Sequence, residues 1–235
     1  MKTLLRCAAC AVILCCAARA FAADGEFTPL FNGTDLTGWV QQGGVAKYAI
    51  EGDEIVGTAV PNTSNSFLCT QRHYGDFELE LDFKVSAELN SGIQIRSNAF
   101  SAPAVLSVTD ESGNPKEAKV SPGRVHGYQV EIDPTDRGFS GGVYDEGRRG
   151  YFLQDLSQNE AARKAFKQGD WNTFRIKCEG DHIQTWINGV AAADFHDAMT
   201  PSGFIALQVH GVGDRNPDPP LQVRWRNIKI RELGK

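Results

Sequence analysis

Residues Asp76 to Val85 read DFELELDFKV. Phe77, Leu79, Leu81, Phe83 and Val85 alternate with Asp76, Glu78, Glu80, Asp82 and Lys84, and successive side chains of a strand point to opposite faces. The stretch is therefore a strand with one apolar face for a core and one mixed-charge face, which is expected to meet solvent. The same period recurs on both sides of it. YAIEGDEIVGTA (Tyr48–Ala59) reads as a hairpin around Gly52-Asp53, and Ser66–Thr70 as a strand. GIQIRS (Gly92–Ser97), HGYQVEID (His126–Asp133) and GFIALQVHG (Gly203–Gly211) alternate, and LQVRWRNIKIREL (Leu221–Leu233) is the last strand. WNTFRIKCEGDHIQTWINGV (Trp171–Val190) reads as two strands joined at Glu179-Gly180-Asp181 and closed by an Asn188-Gly189 turn. A helical spacing occurs once, at Leu156, Ala161, Ala165 and Phe166. Many short strands, frequent turn signals and one short surface helix describe an all-β chain, folded as a jelly-roll β-sandwich.

Two other stretches carry structural expectations. FTPLFNGTDLTGWV (Phe27–Val40) holds apolar anchors around an Asn32-Gly33 turn and reads as an N-terminal clasp, with Trp39 as packing. Residues 101–123 are polar, contain Pro and Gly and show no period, so they are expected to form a functional loop or lid.

The chain begins MKTLLRCAACAVILCCAARAFAA. Lys2 and Arg6, then a short apolar run and small residues, describe a secretory signal cleaved near Ala22, too short to span a membrane. Residues 1–22 are thus expected to be removed, leaving one domain over 23–235 in the periplasm or the medium. Four of the six cysteines fall in the leader. Cys178 alternates with Phe174 and Ile176 as a small core residue does, so a Cys69–Cys178 bridge is not expected. The net charge of −5, without a Lys/Arg run, argues against nucleic acid or an anionic membrane as partner.

Three strands pair an apolar face with an unusual polar one: Gln94 and Arg96; Gln129, Glu131 and Asp133; Gln208 and His210. These faces are rich in amides and contain no Lys. Amides and a guanidinium suit hydroxyls and carbonyls held in defined geometry. If the strands are neighbours, Arg96, Glu131 and His210 share one hollow. The glycine-rich loop after Asp133 can bring Tyr144 and Arg148 back over that surface. Histidine is the side-chain type whose ordinary pKa lies closest to neutrality, which makes His210 an acid–base candidate, and Glu131 beside Asp133 would have a raised pKa in a partly dry groove. Two carboxylates two residues apart also leave a conventional glycosidase open. His210, Glu131 and Asp133 could hold a divalent ion, but no spacing demands a metal.

Taken together, LFNGTDLTGW, NSGIQIRS, GYQVEIDPTDRGFSGGVYDEGRRG, WNTFRIKCEGDHIQTWINGV, GFIALQVHG and VRWRNIKIREL resemble the family of unknown-function domains numbered 1080. Its members are described as 3-keto-disaccharide hydrolases or 3-keto-glucoside lyase/hydratases. The resemblance implies a concanavalin A-like jelly roll and an exported carbohydrate-active enzyme that cleaves 3-keto-glycosides. It also implies an upstream sugar oxidoreductase that supplies the ketone, and no obligatory cofactor. The positions that fit both the motifs and the groove are Asn90, Ser91, Arg96, Glu131 and His210. On that reading Glu131 or His210 takes the C2 proton and the other protonates the leaving oxygen. Arg96 with Asn90 or Gln129, or a divalent ion, steadies the enolate, and Gln94, Asp133, Tyr144, Arg148 and Gln208 bind sugar. A non-catalytic lectin-like module and a conventional glycosidase are the alternatives.

Overall fold

The computed structural model describes residues 25–234, so the expected leader lies outside the described residues. The chain opens with β1 (Thr28–Pro29), β2 (Trp39–Gly43), β3 (Lys47–Glu51), β4 (Glu54–Thr58), β5 (Ser66–Thr70) and β6 (Phe77–Val85). It continues with β7 (Ser91–Ala99), β8 (Ala104–Thr109), β9 (Pro115–Val120), β10 (Val125–Ile132), β11 (Val143–Glu146) and β12 (Phe152–Gln154). Helix α1 (Glu160–Ala165) precedes β13 (Asn172–Glu179), β14 (His182–Ile187), β15 (Val190–His196), β16 (Phe204–Val209) and β17 (Gln222–Glu232).

Two antiparallel sheets face each other. The first runs β15-β14-β13-β6-β17-β4-β3, with β1 on β17; the second runs β12-β11-β10-β7-β16-β5-β2. The alternation of β6 places Phe77, Leu79, Leu81, Phe83 and Val85 in the core, opposite Ile93, Ile95, Val130, Ile132, Leu207 and Val209 of the second sheet. Each such side chain fully withdrawn from water contributes roughly 1.5–3 kcal/mol. Trp39 is buried in the clasp, and its indole N–H donates to the Leu30 carbonyl at 3.1 Å. Asn159 caps α1 by accepting from the Ala162 amide at 3.1 Å. Cys69 and Cys178 are both free and buried.

Two expectations need correcting. Residues 101–123 are not an aperiodic loop but carry the β8–β9 hairpin, in register from Ala104↔Val120 to Thr109↔Pro115. Its turn is built on Asp110, whose carboxylate accepts the amides of Ser112 at 3.0 Å and Asn114 at 2.9 Å. The charged face of β6 is not simply solvated either, because Glu78 is only 2% exposed. Arg175 of β13 and Arg231 of β17 flank it and both ion-pair with its carboxylate.

A β-bulge decides what the second sheet presents. Between Ile95↔Tyr128 and Asn98↔His126, β7 carries two residues where β10 carries one, and the ladder to β16 shifts at the same place. Arg96 stands at this bulge with φ of 45°. Gly127 opposite has φ of 146°, and a Cβ there would come within 2.2 Å of Ser97 Oγ, so the close approach requires glycine.

Candidate functional site

On the outer face of the second sheet the strand ladders align two rows of side chains. One row runs Glu131 (β10), Gly92 (β7), Gln208 (β16), Phe67 (β5). The next runs Tyr144 (β11), Gln129, Gln94, Ala206, Cys69. Gln94 and Gln208 are fully buried, and Gln129 and Glu131 are 3% and 5% exposed. Polar groups taken this far from water must bond one another, and they do. Gln94 Nε2 and Gln208 Nε2 both donate to Gln129 Oε1 at 2.7 Å, and Ser97 Oγ donates to Gln94 Oε1 at 2.7 Å. Gln129 Nε2 in turn donates to Glu131 Oε2 at 2.8 Å, and Asn90 Nδ2 to Glu131 Oε1 at 2.7 Å. The Gln208 Oε1 is buried without a hydrogen-bond partner beneath this network.

Gly92 makes this network possible. A Cβ at that position would lie 2.5 Å from Gln129 Cγ; its absence lets Gln129 lean between Glu131 and Gln208. Burial pushes the Glu131 carboxyl above the ordinary glutamate range, and the hydrogen bonds from Asn90 and Gln129 and the charge of Arg137 offset that only in part. Asp133 is fully buried and shapes the following loop. Its carboxylate accepts from Thr135 Oγ1 at 2.6 Å, Arg137 Nε at 2.7 Å and the Phe139 amide at 3.2 Å. Burial opposes its ionisation, but the bonds from Thr135 and Arg137 win and its pKa is lowered. The consequence is positional: Asp133 holds Arg137 so that the same guanidinium reaches Glu131 Oε1 at 3.5 Å.

The alternation of β11 places Tyr144 and Glu146 on this face too. Burial raises the pKa of Tyr144, with Glu146 and Glu131 adding to the effect. Glu146 is 7% exposed and pairs with Arg124 at 2.6 Å. Burial raises its pKa against the charges of Arg124 and His210. His210 lies one step beyond β16, half-buried, with Nδ1 2.8 Å from the Gly211 carbonyl oxygen. Next to this polar region the face turns apolar. Phe67, Cys69, Val125, Phe204 and Ala206 form a buried cluster separate from the main core, beside a hollow of about 490 Å³ lined by Phe67, Val125, Asn65 and Arg124 among others.

The structure thus brings Asn90, Gln94, Gln129, Glu131, Tyr144 and Gln208 together, with His210 near Glu146. Four expected members stand elsewhere. Arg96 does not share the hollow with Glu131 and His210: the bulge turns it through the sandwich, where it donates to the Gly75 carbonyl at 2.8 Å, the Gly180 carbonyl at 2.6 Å and Asp76 at 2.9 Å. It ties the two sheets at one end. Ser91 shares the inward parity of Ile93, and its hydroxyl donates to the Gln208 carbonyl at 2.6 Å. Arg148 lies inside the sandwich, pairing with buried Asp145 at 2.5 Å and stacking on Tyr128 at 4.7 Å. Asp133 serves the loop, as described. Arg137, Glu146 and Gly92 were missed from sequence. Only Glu146 carried a legible signal, its alternation with Tyr144. Among the described residues no group of three or more His, Cys, Asp or Glu could hold a metal ion, so the carboxylates and His210 do not converge as ligands. No helix of the described residues is long and apolar enough to cross a membrane.

Comparison with known proteins agrees with the geometry. The model of the 3-keto-alpha-glucoside-1,2-lyase-like domain matches residues 26–231. A search of curated protein sequences returned no match. Among solved structures the chain is similar to a protein of unknown function with a galectin-like fold from Bacillus subtilis (TM-score 0.60, 11% identity, 92% of this chain and 98% of that one). It is also similar to a putative glycosyl hydrolase from Parabacteroides distasonis (TM-score 0.55, 19% identity, 88% and 94%). A third is the carbohydrate-binding module CBM66 from Bacillus subtilis (TM-score 0.54, 15% identity, 83% and 96%). At these identities the likeness is one of fold, a jelly-roll sandwich shared by enzymes and binding modules.

Proposed function

The chain belongs to the 3-keto-alpha-glucoside-1,2-lyase-like family, and from that premise we propose that it cleaves 3-keto-glycosides by elimination, with Glu131 as the base. The observation that carries the reading is a carboxylate 5% exposed, held by two amide donors and raised in pKa by burial. A ketone at C3 acidifies the hydrogen on C2. A desolvated carboxylate of raised pKa is a stronger base than one in water and is suited to take that proton. The C2–H electron pair then forms the C1=C2 bond, and the C1–O bond breaks towards the leaving group. Arg137, rather than Arg96, is the guanidinium at hand for the developing enolate, and Asn90 has a second N–H to offer it. Glu146 and His210 stand as the pair that can return a proton to the departing oxygen. Water added to the enone completes a net hydrolysis.

Export by the N-terminal leader and supply of substrate by a sugar-oxidising enzyme belong to this proposal. The test offers the protein a 3-keto-glucoside and its unoxidised parent side by side. Turnover of the ketone alone is the expected result. Comparable rates on both would point to a conventional glycosidase, and binding without turnover of either to a lectin-like module.

A further inference from the structure

Asp133 receives Arg137 through Nε at 2.7 Å, while the terminal Nη2 makes only the long 3.5 Å contact with Glu131. The Arg137 side chain is half-exposed, and a single short hydrogen bond leaves the end of such a side chain free to swing into water, which its rotamer entropy favours. Two rings close off that freedom. The guanidinium carbon lies over Phe139 at 5.0 Å from the ring centre and over Phe152 at 5.3 Å. The rings meet edge to face, with centres 5.3 Å apart and planes at 85°, so their faces make a corner in which the guanidinium sits. Phe152 is fixed in turn by Tyr144, its partner in the β11–β12 ladder, whose ring meets it at 5.3 Å and 69°. Behind the corner, Arg163 of α1 donates through Nε to the Arg137 carbonyl at 3.0 Å.

Phe139 also packs on the main core, whereas the partly buried Phe152 belongs to neither apolar cluster. Its ring contacts are with Phe139, Tyr144 and Arg137. We propose that Phe139 and Phe152 are positioning residues, whose aromatic corner aims the Arg137 guanidinium at Glu131 and at the enolate oxygen that develops beside it. This rests on the elimination reading of Glu131. The corner acts through Arg137: a guanidinium kept in place before the reaction needs no reorganisation when the negative charge forms. The same placement reaches Glu131 in the free protein. The groups that face or adjoin its carboxyl are Arg137 and Asp133 from the loop, Tyr144 from β11, and the uncharged Asn90 and Gln129. Along the same face lie Glu146 of β11 and His210 beyond β16. Of these, Arg137 is the cation that favours the ionised Glu131, so letting it swing away raises the carboxyl's pKa further.

The experiment reads Glu131 directly. Carbon-13 labelling of glutamate carboxyls, with Glu131→Gln to assign the signal, gives the Glu131 titration midpoint by NMR in the wild type, Phe152→Leu, Phe152→Tyr and Arg137→Gln, with circular dichroism reporting the fold. Arg137→Gln is expected to raise the midpoint, and Phe152→Leu to raise it in the same direction. On a 3-keto-glucoside Phe152→Leu should also lower kcat about tenfold with KM little changed. Phe152→Tyr, which keeps a ring face, should restore both the midpoint and kcat. A ring that merely supported the fold would change stability and leave the midpoint where it was. A folded Phe152→Leu with the wild-type midpoint therefore overturns the proposal, and so does a midpoint that Arg137→Gln fails to move. If Phe152→Leu does not fold, the wild type decides: Arg137 side-chain protons shifted upfield by ring currents support the corner, and ordinary arginine shifts overturn it. Absence of turnover with any 3-keto-glucoside would sink the elimination reading, while the midpoint in the free protein still decides what Phe152 does.

Discussion

Glu78 and Glu131 occupy outer faces of opposite sheets, each flanked by neighbouring strands, and both are almost entirely out of water. Burial opposes ionisation of each. At Glu78, Arg175 and Arg231 outweigh burial, so the carboxyl is held below the ordinary glutamate range. At Glu131 the neighbours are amides, with a guanidinium no closer than 3.5 Å, and burial prevails. The first face is a closed ladder of ion pairs that also includes Lys229–Glu80 and Arg226–Asp82. A larger hollow of about 560 Å³ lies on that face, among the clasp, Glu80, Asp82 and Lys229, but its two strand carboxylates are already paired. The difference teaches that burial alone does not make a carboxylate reactive. What matters is whether its partners carry full charge or only dipoles.

The contrast can be broken most sharply at Glu131. Glu131→Gln is expected to lower kcat/KM on a 3-keto-glucoside about 10³-fold, measured beside an unchanged thermal unfolding profile of the same preparation. In the wild type the base works only when ionised, so activity should rise with pH through a value above the ordinary 4.3 or so of glutamate. A pH–rate profile whose acid limb lies at or below that value would remove Glu131 as the base. Gly92→Ala should come next. The new Cβ meets Gln129 Cγ at 2.5 Å, displaces the amide that holds Glu131, and is expected to cost about 10²-fold in kcat.

Glu78→Gln tests the other face. Removing a buried charge between two arginines, themselves partly hydrated, should cost about 2 kcal/mol of stability, read by urea unfolding, with kcat/KM per folded molecule unaltered. The sign with pH follows. Because the folded pKa of Glu78 is lowered, its contribution is present above the unfolded value of about 4.3 and is lost as pH falls through the folded one; the variant should lack that part of the acid sensitivity. The smallest effect is expected from Lys229→Ala, which removes a half-exposed pair with Glu80 and should change stability by about 0.5 kcal/mol or less. A loss of several times that would mean that the ladder acts as a cooperative unit.

Much of the architecture was readable from period alone. Alternation at Asp76–Val85, the Gly52-Asp53 and Asn188-Gly189 turns and the spacing around Ala161 and Ala165 gave strands, hairpins and the helix where they are found. The amide-rich faces of β7, β10 and β16 were legible for the same reason, and the ladder shows those strands to be neighbours. Where strict alternation was pushed too far it misled. The parity that pairs Gln94 with Arg96 breaks at one bulged residue, and Arg96 leaves the site. Arg148 was grouped with Tyr144 by proximity in sequence, although a turn at Gly147 sends it to the interior beside Asp145.

By itself the sequence determined the all-β sandwich and the chemical character of its faces, because side-chain direction in a strand depends on local backbone geometry that every second residue repeats. Only the tertiary structure decided which carboxylate would be reactive. A pKa depends on what surrounds the group in space, and the amides of Asn90 and Gln129, the vacancy at Gly92 and the reach of Arg137 come from separate segments that meet only when the sheets close.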